Sequence, residues 1–165
     1  MVSNAGYAYE PRENEYEFLP GDLGELLRRD CIPFIDRRFR TVPDADHRAM
    51  SGLSMGSFQT QWEVYNHPGT FAYVGVFSGT CLESRMEMWC DSTKFLTAEN
   101  AENLNRNFKL LFFGRGLQEG GDRLPGEIEE LHRRGIHAEY FVCPGVHEWQ
   151  VWRKTAHCFA QKLFR

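Results

Sequence analysis

The chain predicts an α/β fold, a mostly parallel sheet with helices on both faces. Three observations predict it. Apolar runs of strand length alternate with segments of helical spacing along the whole sequence. Gly52-Leu53-Ser54-Met55-Gly56 matches the G-x-S-x-G pattern of a sharp strand-to-helix turn. Finally, a serine, two carboxylates and a histidine each follow a predicted strand. In a parallel sheet such strand ends share one edge, where ligands bind.

With 165 residues, a single domain over 1–165 is expected. A hydrophobic share of 42% supplies enough apolar side chain for a core. The net charge of −4 argues against a nucleic-acid footprint, which needs a basic face. The densest basic run, Arg37-Arg38-Phe39-Arg40, closes a predicted helix, where positive charge suits the dipole. Cys31, Cys81, Cys90, Cys143 and Cys158 show no metal-binding spacing and read as free thiols. The first ten residues lack the apolar core of a signal peptide, and no run is long enough to span a membrane. A cytoplasmic protein is therefore expected as written, although a longer parent chain could be secreted.

Taken in order, residues 9–15 read as a polar loop and 20–38 as a helix. The apolar face of that helix is expected from Leu23, Leu26, Leu27, Ile32, Phe34 and Ile35, and Pro33 should kink or split it. Residues 49–53 form a small, apolar strand expected to be covered on both faces. Beyond Gly56, Phe58, Trp62 and Tyr65 fall on one helical face. Residues 72–78 form the next strand, whose end at Ser78 and Gly79 should lie beside the turn. Residues 81–107 are the least regular, with Met86, Met88 and Trp89 and then a helix near 98–105. Leaving the carboxyl end of a strand, this segment reads either as a pocket wall or as a packing helix returning to the sheet.

Residues 109–114 form a strand, followed by a loop carrying Glu119 and Asp122. A helix over 125–134 starts at Pro125 and stops at Gly135. Residues 137–143 are the last strand, 144–147 a turn, and 148–164 the last helix, with Trp152, Ala156, Phe159 and Leu163 as its stripe.

The chemistry follows from the placement. A serine hydroxyl is a poor nucleophile at neutral pH; it needs a base within reach, and the base needs an acceptor that fixes its tautomer. Ser54, a carboxylate at Glu119 or Asp122, and His147 occur in the order nucleophile, acid, histidine. Any one histidine is more often a surface or core residue than a catalytic one. His147 stands out because it lies in a Pro-Gly turn after the last strand; His67, in another turn, is its natural control. Glu119 and Asp122 could equally be solvated loop residues.

Three segments carry a resemblance: RAMSGLSMG (48–56), HPGTFAYVGVFSG (67–79) and PGVHEWQVWRKTAHCFAQKLF (144–164). They strongly resemble the esterase D/feruloyl esterase-like family of α/β-hydrolases, which also includes acetyl-xylan esterases and S-formylglutathione hydrolases. The resemblance covers essentially the whole chain. It implies Ser54 as nucleophile, His147 as base and the Met55 N–H as oxyanion donor, with no metal or organic cofactor. It implies an acid after strand 109–114. Aligning Gly116 puts Glu119 where the family usually has aspartate, and Asp122 is the alternative.

Family members begin with further strands and a loop that supplies a second oxyanion N–H. This chain reads as starting after that loop, an N-terminally truncated α/β-hydrolase whose strand 49–53 is an open edge. Such an edge invites pairing with another chain, including a second copy of this one. The expected activity is ester hydrolysis on a small ester or acylated carbohydrate. The alternatives are an inactive fragment or assembly module, and a thioesterase of the S-formylglutathione type.

Overall fold

The computed structural model describes residues 7–10, 15–18, 20–79, 81–82 and 92–165. Residues 83–91, a third of the expected pocket wall and with them Met86, Met88, Trp89 and Cys90, lie outside the described residues.

An antiparallel pair of strands, β1 (Tyr7–Glu10) and β2 (Glu15–Phe18), takes up the two ends of the polar loop expected over 9–15, whose middle, 11–14, lies outside the described residues. The sequence signal is aromatic residues alternating with others at the strand period: Tyr7 and Tyr9, then Tyr16 and Phe18. The expected long helix is split, as Pro33 predicts, into α1 (Pro20–Leu26) and α2 (Ile32–Arg38), joined by a π-helical turn (Leu27–Cys31). Proline has no N–H to give the carbonyl four residues back, and the wider turn is one way to absorb that gap. Phe34 and Ile35, expected on the buried face, are exposed, and α2 buries none of its residues.

Among the described residues the main sheet has four parallel strands in the order β3 (Ala49–Leu53), β4 (Tyr73–Phe77), β5 (Leu110–Gly116), β6 (Glu139–Cys143). The crossovers are α3 (Met55–Asn66), α4 (Ala101–Asn107) and α5 (Leu124–Arg133), and α6 (Trp149–Ala160) follows β6. Side chains alternate across the sheet as the strand period requires. Val74, Val76, Leu111 and Phe113 pack on one face with Val64, Leu104, Ile128 and Leu131. Tyr73, Phe77, Leu110 and Phe112 pack on the other with Phe159 of α6.

Two expectations about packing are corrected. Of the stripe expected on α6, Phe159 is buried and Trp152 and Leu163 pack half-buried against the same core, but Ala156 is exposed and Val151 and Thr155 fill the inward face. The cause is Gly114 in β5: a Cβ there would lie 2.0 Å from Thr155 Cγ2, so the missing side chain is what lets α6 approach. The Thr155 hydroxyl donates to the Val151 carbonyl (2.9 Å) and is thus satisfied without water. The second correction concerns β3. It lies at the sheet edge with Ser51 exposed and its other residues half-buried, rather than covered on both faces. Of the cysteines, Cys31, Cys81, Cys143 and Cys158 are free thiols; burial pushes the Cys81 and Cys143 thiols up, away from thiolate reactivity.

Candidate active site

Ser54 sits at the sharp turn between β3 and α3 with φ 52° and ψ −120°, a region that costs any residue with a Cβ. The turn closes because Gly52 has no side chain: a Cβ there would lie 2.0 Å from the Gly56 carbonyl oxygen. The Ser54 N–H donates to the Phe77 carbonyl (3.0 Å), which ties the turn to the end of β4, as expected for the segment before Ser78. Met55 opens α3, so its N–H has no partner within the helix.

The other two side chains arrive on loops that are laced together. After β5, a short 3₁₀ turn (Leu117–Glu119) ends in Gly120 at φ 86°. The Gln118 N–H donates to the Gly145 carbonyl (3.1 Å), and the Gly145 N–H donates back to Gln118 Oε1 (2.6 Å). The loop after β6 is thereby fixed against the loop after β5. Arg115, buried, adds a second tie by donating to the Gly79 carbonyl (2.5 Å).

These ties bring Ser54, His147 and Glu119 into one line. His147 Nε2 lies 2.8 Å from Ser54 Oγ, and His147 Nδ1 lies 2.8 Å from Glu119 Oε2. The His147 side chain is 49% exposed, whereas Glu119 is 12% exposed. A carboxylate held at Nδ1 leaves Nε2 free to accept a proton from the serine hydroxyl. Glu119 is held in turn: its Oε1 accepts from the Gly116 N–H (2.7 Å) and from Ser78 Oγ (2.6 Å).

The other candidates stand elsewhere. Asp122, the alternative acid, is exposed, and the carboxylate on His147 is that of Glu119. His67 caps the end of α3 and tilts against Trp62 at 5.8 Å. Among the described residues no cluster of three or more His, Cys, Asp or Glu could hold a metal ion, and no helix is long and apolar enough to cross a membrane.

The sequence pattern of the Esterase family, described as "Putative esterase", matches residues 8–157. The chain belongs to the Esterase family. An endo-1,4-beta-xylanase/feruloyl esterase of Xylanibacter ruminicola is 30% identical over 150 residues, which are 90% of this chain and 19% of that protein. Among solved structures, a ferulic acid esterase superposes with a TM-score of 0.64 at 21% identity, over 83% of this chain and 57% of the other. A mutant of the feruloyl esterase module from Clostridium thermocellum, complexed with sinapinate, gives 0.65 at 18% identity, over 92% and 61%. The S-formylglutathione hydrolase of Staphylococcus aureus gives 0.60 at 18% identity, over 88% and 66%. At these identities the structures establish the α/β-hydrolase fold. The chain spans about a fifth of the curated relative and roughly three fifths of the solved ones.

Sequence reasoning missed two polar partners in this Esterase-family site. Ser78 was placed near the turn without a role, and Trp152 was counted only as a helix stripe residue. Its indole N–H donates to Ser78 Oγ (2.9 Å), and its ring meets the His147 imidazole edge-on at 5.1 Å.

Proposed function

We propose that this chain carries the catalytic centre of a serine carboxylic-ester hydrolase of the feruloyl or acetyl-xylan esterase type. The observation that carries the proposal is the unbroken hydrogen-bonded line Ser54–His147–Glu119, 2.8 Å at each step. The names of the relatives support the substrate class: esters of sugars or small alcohols, with aromatic acyl groups included.

In this reading Ser54 Oγ attacks the ester carbonyl carbon while His147 Nε2 takes the hydroxyl proton. Glu119 holds Nδ1–H and stabilises the imidazolium. The oxyanion of the tetrahedral intermediate is received by the Met55 N–H, a donor class worth about 100- to 1,000-fold in rate. The C–O bond to the alcohol then breaks, and His147 returns the proton to the leaving oxygen. Water, deprotonated by the same imidazole, attacks the acyl-Ser54 ester and releases the acid.

The test is hydrolysis of p-nitrophenyl acetate and of an acetyl thioester by the purified chain and by Ser54→Ala, His147→Ala and Glu119→Gln. Loss of turnover by about a thousandfold or more in the first two is expected. Turnover of the thioester alone would move the reading to the thioesterase branch. A second reading, an assembly module joined through its sheet edge, is favoured by the half-open β3. A folded, oligomeric sample without turnover would establish that reading instead, and turnover that survives Ser54→Ala would overturn Ser54 as the nucleophile.

A further inference from the structure

Behind the carboxylate of the proposed triad lies a chain of polar contacts that begins on α6. We propose that Ser78 and Trp152 are positioning residues that aim Glu119 at His147; this rests on the triad reading above.

The donor logic runs one way. An indole N–H can only donate, so at 2.9 Å Ser78 Oγ must accept from Trp152 Nε1. The single Ser78 proton is then free for Glu119 Oε1, 2.6 Å away. The Gly116 N–H occupies the same oxygen from the other side at 2.7 Å. With Oε1 held by two donors, Oε2 is the atom left to face His147 Nδ1. A glutamate has one more rotatable bond than an aspartate, and fixing one oxygen twice removes the freedom that the extra methylene adds.

The backbone of Ser78 points to the same role. It lies at φ 50°, where a residue with a side chain is strained, although glycine would fit without cost. Its N–H is held by the Gly114 carbonyl at 2.7 Å. A strained conformation persists where its surroundings over-determine it, and here the side chain it presents is the hydroxyl on Glu119. Trp152 serves twice: its N–H orients Ser78, and its ring stands at 90° to the imidazole, 5.1 Å between centroids.

The experiment compares Ser78→Ala and Trp152→Phe, which keeps an aromatic ring and removes only the donor, in the wild-type and Glu119→Gln backgrounds. Ser78→Ala is expected to lower kcat about tenfold with KM within twofold, the range of one lost hydrogen bond to a charged group. Trp152→Phe should lower kcat about threefold, and neither should cost anything further beside Glu119→Gln. A split of this kind separates positioning from a general loss of structure. Equal losses in both backgrounds, or unchanged kcat in folded protein, would overturn the proposal.

A readout without turnover distinguishes this proposal from the esterase reading. The proton between His147 Nδ1 and Glu119 gives a low-field NMR resonance, and Ser78→Ala should broaden or abolish it while Asp122→Asn leaves it in place. If the wild-type chain lacks esterase activity but shows this behaviour, the positioning network stands and the esterase reading falls. A resonance indifferent to Ser78→Ala would overturn the network itself.

Discussion

In β4 and β5 every residue is buried, whereas the run from α2 to the start of β3 leaves Phe34, Ile35, Phe39 and Val42 at the surface. Both regions carry large apolar side chains, although in the second they stand among charged ones such as Asp36, Arg37, Arg38 and Arg40. In the first, neighbouring strands and helices on both faces bury each side chain. In the second, Leu27, Ile32, Ile35, Val42, Phe71 and Phe164 line an open groove of about 670 Å³ beside the β3 edge. Burial is therefore a property of position in the layer, not of residue type. The catalytic candidates stand at the boundary between the two regions: Ser54 comes from the half-open strand, and Glu119 and His147 from loops after the inner and far strands.

The contrast is broken most severely from the inside. Phe112→Ala, at a fully buried position, should destabilise the chain by about 3–5 kcal/mol, whereas Phe34→Ala should stay within about 0.5 kcal/mol. Urea unfolding of the two variants side by side checks this; equal losses would mean that Phe34 is already covered in solution.

The seam between the regions comes next. Arg28 of the π-helical turn pairs with Glu63 of α3, and Glu63 is 0% exposed while Arg28 is 29% exposed. Arg28→Ala strands a buried carboxylate and should cost about 3 kcal/mol, reduced by the water that already reaches Arg28. Adding Glu63→Leu should recover much of the loss. A double variant no more stable than the single one would show that the pair is not the fastening.

The smallest effect tests the outer region by pH. Thr41 donates to Asp36 and the Arg48 guanidinium pairs with it, and together they hold its carboxyl below the usual range. A depressed carboxyl adds stability that is full above roughly pH 4 and is lost as pH falls through the folded value. Asp36→Asn should therefore flatten the acid side of the stability curve and change little at neutral pH. An unchanged acid limb would remove Asp36 from the account.

The site was readable where its signal is local. The Gly52–Gly56 turn and the helix after it fit within one element each, and both stand in the structure; the one-sided face through Phe58, Trp62 and Tyr65 does not, because α3 also buries Gln59, Thr60, Gln61 and Glu63 and leaves Trp62 half-buried. The register of α6 was readable only in part, because its inward residue Thr155 is polar and sits over a glycine that hydropathy does not weigh. Phe34 and Ile35 misled for the opposite reason, being apolar yet exposed, Ile35 on the wall of an open groove. The acid required the resemblance to choose Glu119 over Asp122. Ser78 and Trp152 carried no sequence signal, since their bonds reach across 41 and 74 residues of chain.

The conformation of Ser54 sets a conflict of interest within the chain. Its backbone occupies a region natural to glycine and costly, by about 1–3 kcal/mol, to any other residue. Ser54→Gly should accordingly melt at a higher temperature than the native sequence while losing its hydroxyl. Selection for thermostability alone would discard the nucleophile, so retention of the serine at this angle is a trade of fold stability for chemistry.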